Sequence, residues 1–146
     1  MSAYVYNRGL YLFASGGITG STDVRAALLK SSATFDATDN TLADAIAGSQ
    51  EISVSGYARC DVSGWSITED DANGWAVADC DNPTYPALAT GQTIGAVVFY
   101  IYNASDSSAQ LISWHDLTSA TPTNGGTFEA TVRAPGSGGL IKFRRP

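Results

Sequence analysis

IGAVVFYIYNASDSSAQLISW, residues 94–114, is the stretch on which the fold turns. It holds the longest apolar run in the sequence, then an eight-residue polar break from Asn103 to Gln110, then a second apolar run. Alternate residues of a strand face opposite ways. That puts Ile94, Ala96, Val98, Tyr100 and Tyr102 on one parity and Val97, Phe99 and Ile101 on the other. Both parities are apolar, so the run reads as one arm of a core hairpin, covered on both faces. The nine residues from Ile94 to Tyr102 are too few for a membrane span, which needs about 20 in helical form.

Outward from this hairpin the chain reads as short strands between turns. Upstream, Ile52 and Val54 alternate with serines, and Tyr57–Val62, Trp65–Thr68 and Trp75–Ala78 read as strands. Glu69-Asp70-Asp71-Ala72-Asn73-Gly74 is a strong turn signal between the last two. Downstream, Thr118–Gly126 reads as a long polar loop. Phe128, Ala130 and Val132 then alternate with polar neighbours as a half-buried strand, and Leu140–Phe143 closes the fold. Nearer the N-terminus, Asn7 is a plausible cap for a short helix that ends at Gly16-Gly17, with Tyr6, Leu10 and Phe13 on one face. Leu42, Ala45 and Ile46, behind a cap at Asp39, suggest one or two helical turns or a structured loop. Val24–Leu29 fits helix and strand equally on its own pattern. About eight strands with regular turns point to a mainly β single domain, a β-sandwich or jelly-roll-like fold with a short N-terminal helix. Its parts are an N-terminal arm and helix (1–17), a β domain (18–143) and a basic tail (142–146).

With 146 residues the chain suits one domain with a sizeable core. Charged residues are only 15%, and the formal net charge is −6. No Lys or Arg lies between Arg59 and Arg133, whereas Asp and Glu are frequent there. So acidic a middle argues against direct nucleic-acid binding, which needs clustered cations. The basic end, Lys142-Phe143-Arg144-Arg145-Pro146, suits either a solvated terminus or contact with an acidic neighbour. The opening MSAYVYNRG lacks a basic stretch followed by a long apolar one, which leads us to expect synthesis in a cytosol. Cys60 and Cys80 have no metal-site spacing and read as free thiols in a reducing compartment, although cross-strand proximity is conceivable.

Catalytic chemistry finds little purchase. His115 is the one histidine, and on a strand its neighbour Asp116 points to the opposite face and cannot orient it. Glu69, Asp70 and Asp71, with Asn73, Asp79 and Asp81 following, could in principle attract calcium. Their spacing matches no calcium-loop pattern, and a solvated turn is the default. No catalytic residue, cofactor or metal is expected.

Several stretches, taken in order, resemble a widespread group of small tailed-bacteriophage virion proteins. They are Tyr6-Asn7-Arg8-Gly9-Leu10 with Gly16-Gly17-Ile18, and Thr22-Asp23-Val24-Arg25-Ala26-Ala27-Leu28. Ile52–Tyr57 follows, then Thr68-Glu69-Asp70-Asp71 ahead of Trp75–Asp79. Ile94–Tyr100 with Leu111-Ile112, and Gly126-Thr127-Phe128, complete the set. Some members of that group act as head decoration, or cement, proteins. The resemblance implies a strand over Val24–Leu29 and a non-enzymatic protein made in the host bacterial cytoplasm. It further implies a homotrimer on the outer capsid surface of the virion, with the major capsid protein as partner and no membrane role. A tail, adaptor or fibre component is the alternative. A carbohydrate-binding or adhesin module using Trp65, Trp75, Tyr85 or Trp114 as a sugar platform is a third. Composition and expected exposure, not a motif, nominate Ser2–Asn7, Thr118–Gly126 and Lys142–Pro146 as contact regions. Within them the candidate interface residues are Tyr4, Tyr6, Asn124, Lys142, Arg144 and Arg145.

Overall fold

The computed structural model describes residues 2–131 and 139–144. Its organising element is β7 (Thr93–Ile101), the first arm of the hairpin; β8 (Gln110–Pro122) is the second. β7 lies between β8 and β2 (Val24–Lys30), antiparallel to both. β1 (Ser2–Val5) flanks β8 and β3 (Cys60–Asp61) flanks β2, giving a five-stranded sheet in the order β1-β8-β7-β2-β3. A three-stranded sheet, β10-β5-β4, is built from β4 (Ser66–Asp70), β5 (Trp75–Asp79) and β10 (Ile141–Arg144). β6 (Thr84–Tyr85) and β9 (Phe128–Glu129) form a third, minimal pair. The chain is mainly β and sandwich-like, with α1 (Asn7–Ser15) at its N-terminal end and one helical turn, α2 (Leu42–Ala45).

Both faces of the five-stranded sheet are covered. On one side Val24, Ala26, Leu28, Val97, Phe99 and Ile112 share a core with Leu12 of α1, Ala78 of β5 and Ile141 of β10. On the other, Ala27, Leu29, Val98, Tyr100, Leu111 and Trp114 pack against Tyr6, Leu42 and Ala45, with Phe35 closing the edge. This double covering is what allows β7 to be apolar on both faces from Ile94 to Ile101. Among the described residues, no helix is long and apolar enough to cross a membrane.

The expected parity of β7 breaks once. Ala96 pairs with Leu29 and Asp116, while Ile94 pairs with Lys30 and Thr121, so the ladder slips at Gly95. A Cβ on Gly95 would lie 2.5 Å from the Ser31 Cα, and only glycine permits that approach. The slip carries Ile94 to the Val97 and Phe99 side. Tyr102 also departs from the expected stripe. It lies beyond β7, 45% exposed, with the Arg25 guanidinium 3.5 Å over its ring.

Other expectations need correcting. The segment 2–7 is no arm: Ser2–Val5 pairs with Asp116–Ser113 as an edge strand. Residues 118–122 of the expected loop belong to β8, which bows outward between its pairs at Asp116 and Thr121. The expected strand at 127–133 is ordered as a ladder only at Phe128–Glu129, and 132–133 lie outside the described residues. Ile52 and Val54 lie outside the strands, and Tyr57–Val62 contributes only Cys60–Asp61. The basic end is, as far as Arg144, a strand rather than a tail.

In α1 the cap residue is Tyr6, not Asn7, and it makes no side-chain cap bond. Gly16 closes the helix in the left-handed conformation, as its position suggests. The buried helical residues are Gly9 and Leu12, and Leu10 is 48% exposed. Gly9 explains the offset: a Cβ there would stand 2.3 Å from the Ile112 carbonyl oxygen, so α1 docks through its glycine onto β8. In α2 the capping box uses Thr41 and Asp44 instead of Asp39. Val24–Leu29 is strand.

Candidate interaction surface

Most cations of the described chain are tied to a partner near them. Arg59 meets Glu51 at 2.7 Å and Asp106 at 2.5 Å. Arg25 meets Asp61 at 2.9 Å. Lys30 donates to the Ser49 carbonyl, and Arg8 to the Gln110 side chain. Lys142 and Arg144 stand out because they converge on one ring. Two residues apart on β10, they project to the same side of the sheet. Both reach the same ring: Lys142 Nζ is 3.2 Å from the centroid of Trp75, and Arg144 Cζ is 5.0 Å away. Strand pairing sets this up, since Arg144 is directly opposite Trp75 and Lys142 opposite Val77. An indole face attracts cations through its quadrupole, which holds the two charges together despite their repulsion.

Beside this stack is an open groove of about 400 Å³ lined by Glu69, Asp71, Trp75, Ala76, Phe143 and Arg144. Of its two carboxylates, Glu69 comes from β4 and Asp71 from the β4–β5 turn. That turn is self-capped, because Asp70 accepts from the backbone N–H and the side-chain amide of Asn73. Asp79 belongs elsewhere: it is buried, and burial holds its carboxyl above the usual range. Asp81 accepts from the Ser63 hydroxyl. Among the described residues, no three His, Cys, Asp or Glu side chains converge as metal ligands.

The remaining candidates scatter. Tyr4 is 43% exposed on edge strand β1, stacked on Phe35 at 5.0 Å. Tyr6 is fully buried beneath it and offers a neighbour no surface, because its ring fills the core between β8 and Phe35. Asn124 is exposed, its side-chain oxygen accepting from the Gly126 N–H at 2.9 Å. Arg145 lies outside the described residues. Tyr4 and Arg144 belong to different sheets, and Asn124 to the segment after β8.

The aromatic platforms are mostly spoken for. Tyr85 and Trp114 are 1% exposed, and Trp65 is half-buried with its N–H donated to the Thr19 carbonyl. Trp75 is capped by the two cations. A sugar ring would have to displace them.

His115 is sealed in the core, 3% exposed, its Nε2 3.0 Å from the Ser113 hydroxyl. Burial pushes its pKa down to about 4. Asp116 instead accepts from the Trp114 indole N–H at 2.6 Å, as strand alternation requires. Both cysteines are free. Cys60 is half-buried, and burial pushes the Cys80 thiol up to about 12.

One cluster has little warning in the sequence. Arg59 bridges Glu51 and Asp106, and Glu51 also accepts from the Tyr57 hydroxyl at 2.7 Å. That hydroxyl in turn accepts from the Leu28 N–H in β2. The polar break between β7 and β8 is thereby tied down at Asp106. The only hint lies in the unusual isolation of Arg59 at the start of a cation-free stretch. No family model, curated protein or solved structure matches this chain.

Proposed function

We propose that the chain is a non-enzymatic structural protein of a tailed-bacteriophage virion, of the head decoration type. In this reading it binds the outer capsid surface as a homotrimer and stabilises the major capsid protein. Two things support it. The motif order described above resembles that group, and Lys142 and Arg144 gather on one ring at the edge of the three-stranded sheet. The observation that carries the most weight is the Lys142–Trp75–Arg144 stack on an otherwise acidic protein. It fixes two cations on a regular strand, where they can meet carboxylates of a coat subunit at little further cost in side-chain entropy. Contacts of this size are individually weak, and repetition over a particle makes them effective.

The test is reconstitution on capsids that lack the protein. Purified protein should co-sediment with them and raise their disruption temperature. A K142E/R144E variant that keeps its fold should lower occupancy. No co-sedimentation at any ratio removes the cement reading. Immunogold label on the tail instead of the head moves the protein to the tail, adaptor or fibre class.

A further inference from the structure

The three-stranded sheet ends in two edges of opposite charge, and the two are level. Its lateral rows are Arg144–Trp75–Asp70 and Lys142–Val77–Thr68. Among the described residues no strand flanks the outer side of β10 or of β4. The Thr19–Thr22 turn lies against the first half of β4, where the Cβ position of Gly20 is 3.9 Å from the Ile67 nitrogen. Thr68–Asp70 is therefore the part of β4 left at the rim, and Lys142–Arg144 lies directly across the sheet from it.

We propose that the β10 edge of one copy pairs with the Thr68–Asp70 edge of the next, so that copies join head to tail through a continuous sheet. Three features select this arrangement. First, β10 and β4 are each antiparallel to β5 and so run parallel to each other. A rotation about an axis along the strands brings the next β4 beside β10 with strand directions preserved. Second, the charges discriminate. Arg144 and Lys142 meet Asp70 and the acidic turn in this pairing, whereas β10 against β10 or β4 against β4 sets like charges side by side. Third, the edges are level, so the rotation needs no shift along the strand. Without that shift the heterologous contact does not climb along the strand axis, and it closes into a ring where its rotation divides a full turn.

Asp70 remains able to take part, since a carboxylate has about four acceptor positions and Asn73 occupies two. The pairing is only three residues long, so association is weak and sensitive to salt. The inference does not depend on the capsid reading, because its test uses free protein.

Sedimentation equilibrium from about 10 µM to 1 mM, at low and high salt, provides the measurement. Wild type should gain mass with concentration at low salt and lose that gain at high salt. K142E/R144E should stay monomeric, and so should T68K/D70K. An equimolar mixture of the two should associate again, since each supplies the edge that the other needs. Circular dichroism checks the fold of each, and Thr68→Lys alone replaces the second variant if the turn suffers. Wild type that is monomeric at the highest concentration in low salt overturns the proposal. So does association that survives both variants, or a mixture that remains monomeric. In those cases the charged edges serve only to keep sheets apart.

Discussion

The imidazole of His115 stands edge-on to the ring of Phe99, with centroids 5.1 Å apart and planes at 76°. An uncharged imidazole suits that place and a charged one does not. The folded protein therefore resists protonating His115 until about pH 4, whereas the unfolded chain takes the proton near 6.5. Between those values the unfolded state binds more protons, so stability is complete above pH 6.5 and falls as pH drops towards 4. The loss attributable to this group is roughly 3 kcal/mol at most. As the chain has one histidine, its NMR titration is unambiguous. The gap in unfolding free energy between wild type and His115→Gln should shrink over that window, and a gap independent of pH would refute the account.

Phe99 itself is fully buried in the strand that both cores share. Phe99→Ala should cost about 3–5 kcal/mol by opening a cavity. Urea denaturation measures it directly, and a change near zero would mean that β7 is not central to the packing.

Arg59 and Asp106 should differ in their sensitivity. Replacing Arg59 with Met strands the Glu51 carboxylate, whose side chain is only 18% exposed. We expect a loss of about 2 kcal/mol, less than for a fully buried pair because water reaches part of the cluster. Asp106 has a side chain 40% exposed, and Asp106→Asn should cost under about 1 kcal/mol. Equal losses from the two variants would show that the cluster is not graded by burial.

Ala87 and Gly56 form a natural contrast. Ala87 has φ +52° without being glycine, and Gly56 has φ +83° with its Cβ position 2.4 Å from the Ala87 carbonyl oxygen. Ala87→Gly relieves the left-handed strain but frees the unfolded chain, for a net gain of roughly 0.5–1 kcal/mol. Gly56→Ala adds both strain and a backbone clash and should cost upwards of about 2 kcal/mol. Thermal melts of the two should move in opposite directions.

What the sequence made legible was whatever local pattern decides. The apolar runs of β7 and β8 and the Gly16 stop are each determined by neighbours in the chain, as is the expected Glu69–Gly74 turn from Asp71 on, its Glu69 and Asp70 being the end of β4. What escaped was decided at a distance. The exposed run Ser2–Val5 becomes a strand only because β8 offers it an edge, and nothing in four mostly solvent-facing residues announces that. The slip at Gly95 depends on Ser31, and the place of Gly9 on Ile112. At the surface, the basic end of the chain was visible as charge. That Lys142 and Arg144 converge on Trp75 depended on the β5–β10 register, which composition does not encode.

The double covering of β7 also governs which amide protons are lost first to solvent. No fluctuation frees its backbone without removing β2 or β8, and each of those contributes side chains to both cores. Its amides should exchange only when the whole molecule unfolds, reporting the global free energy. Edge strand β1, paired on one side, can peel away alone and lose its protection orders of magnitude sooner. The molecule thus carries its slowest clock at the centre of the hairpin and faster ones at the rims where it would meet other chains.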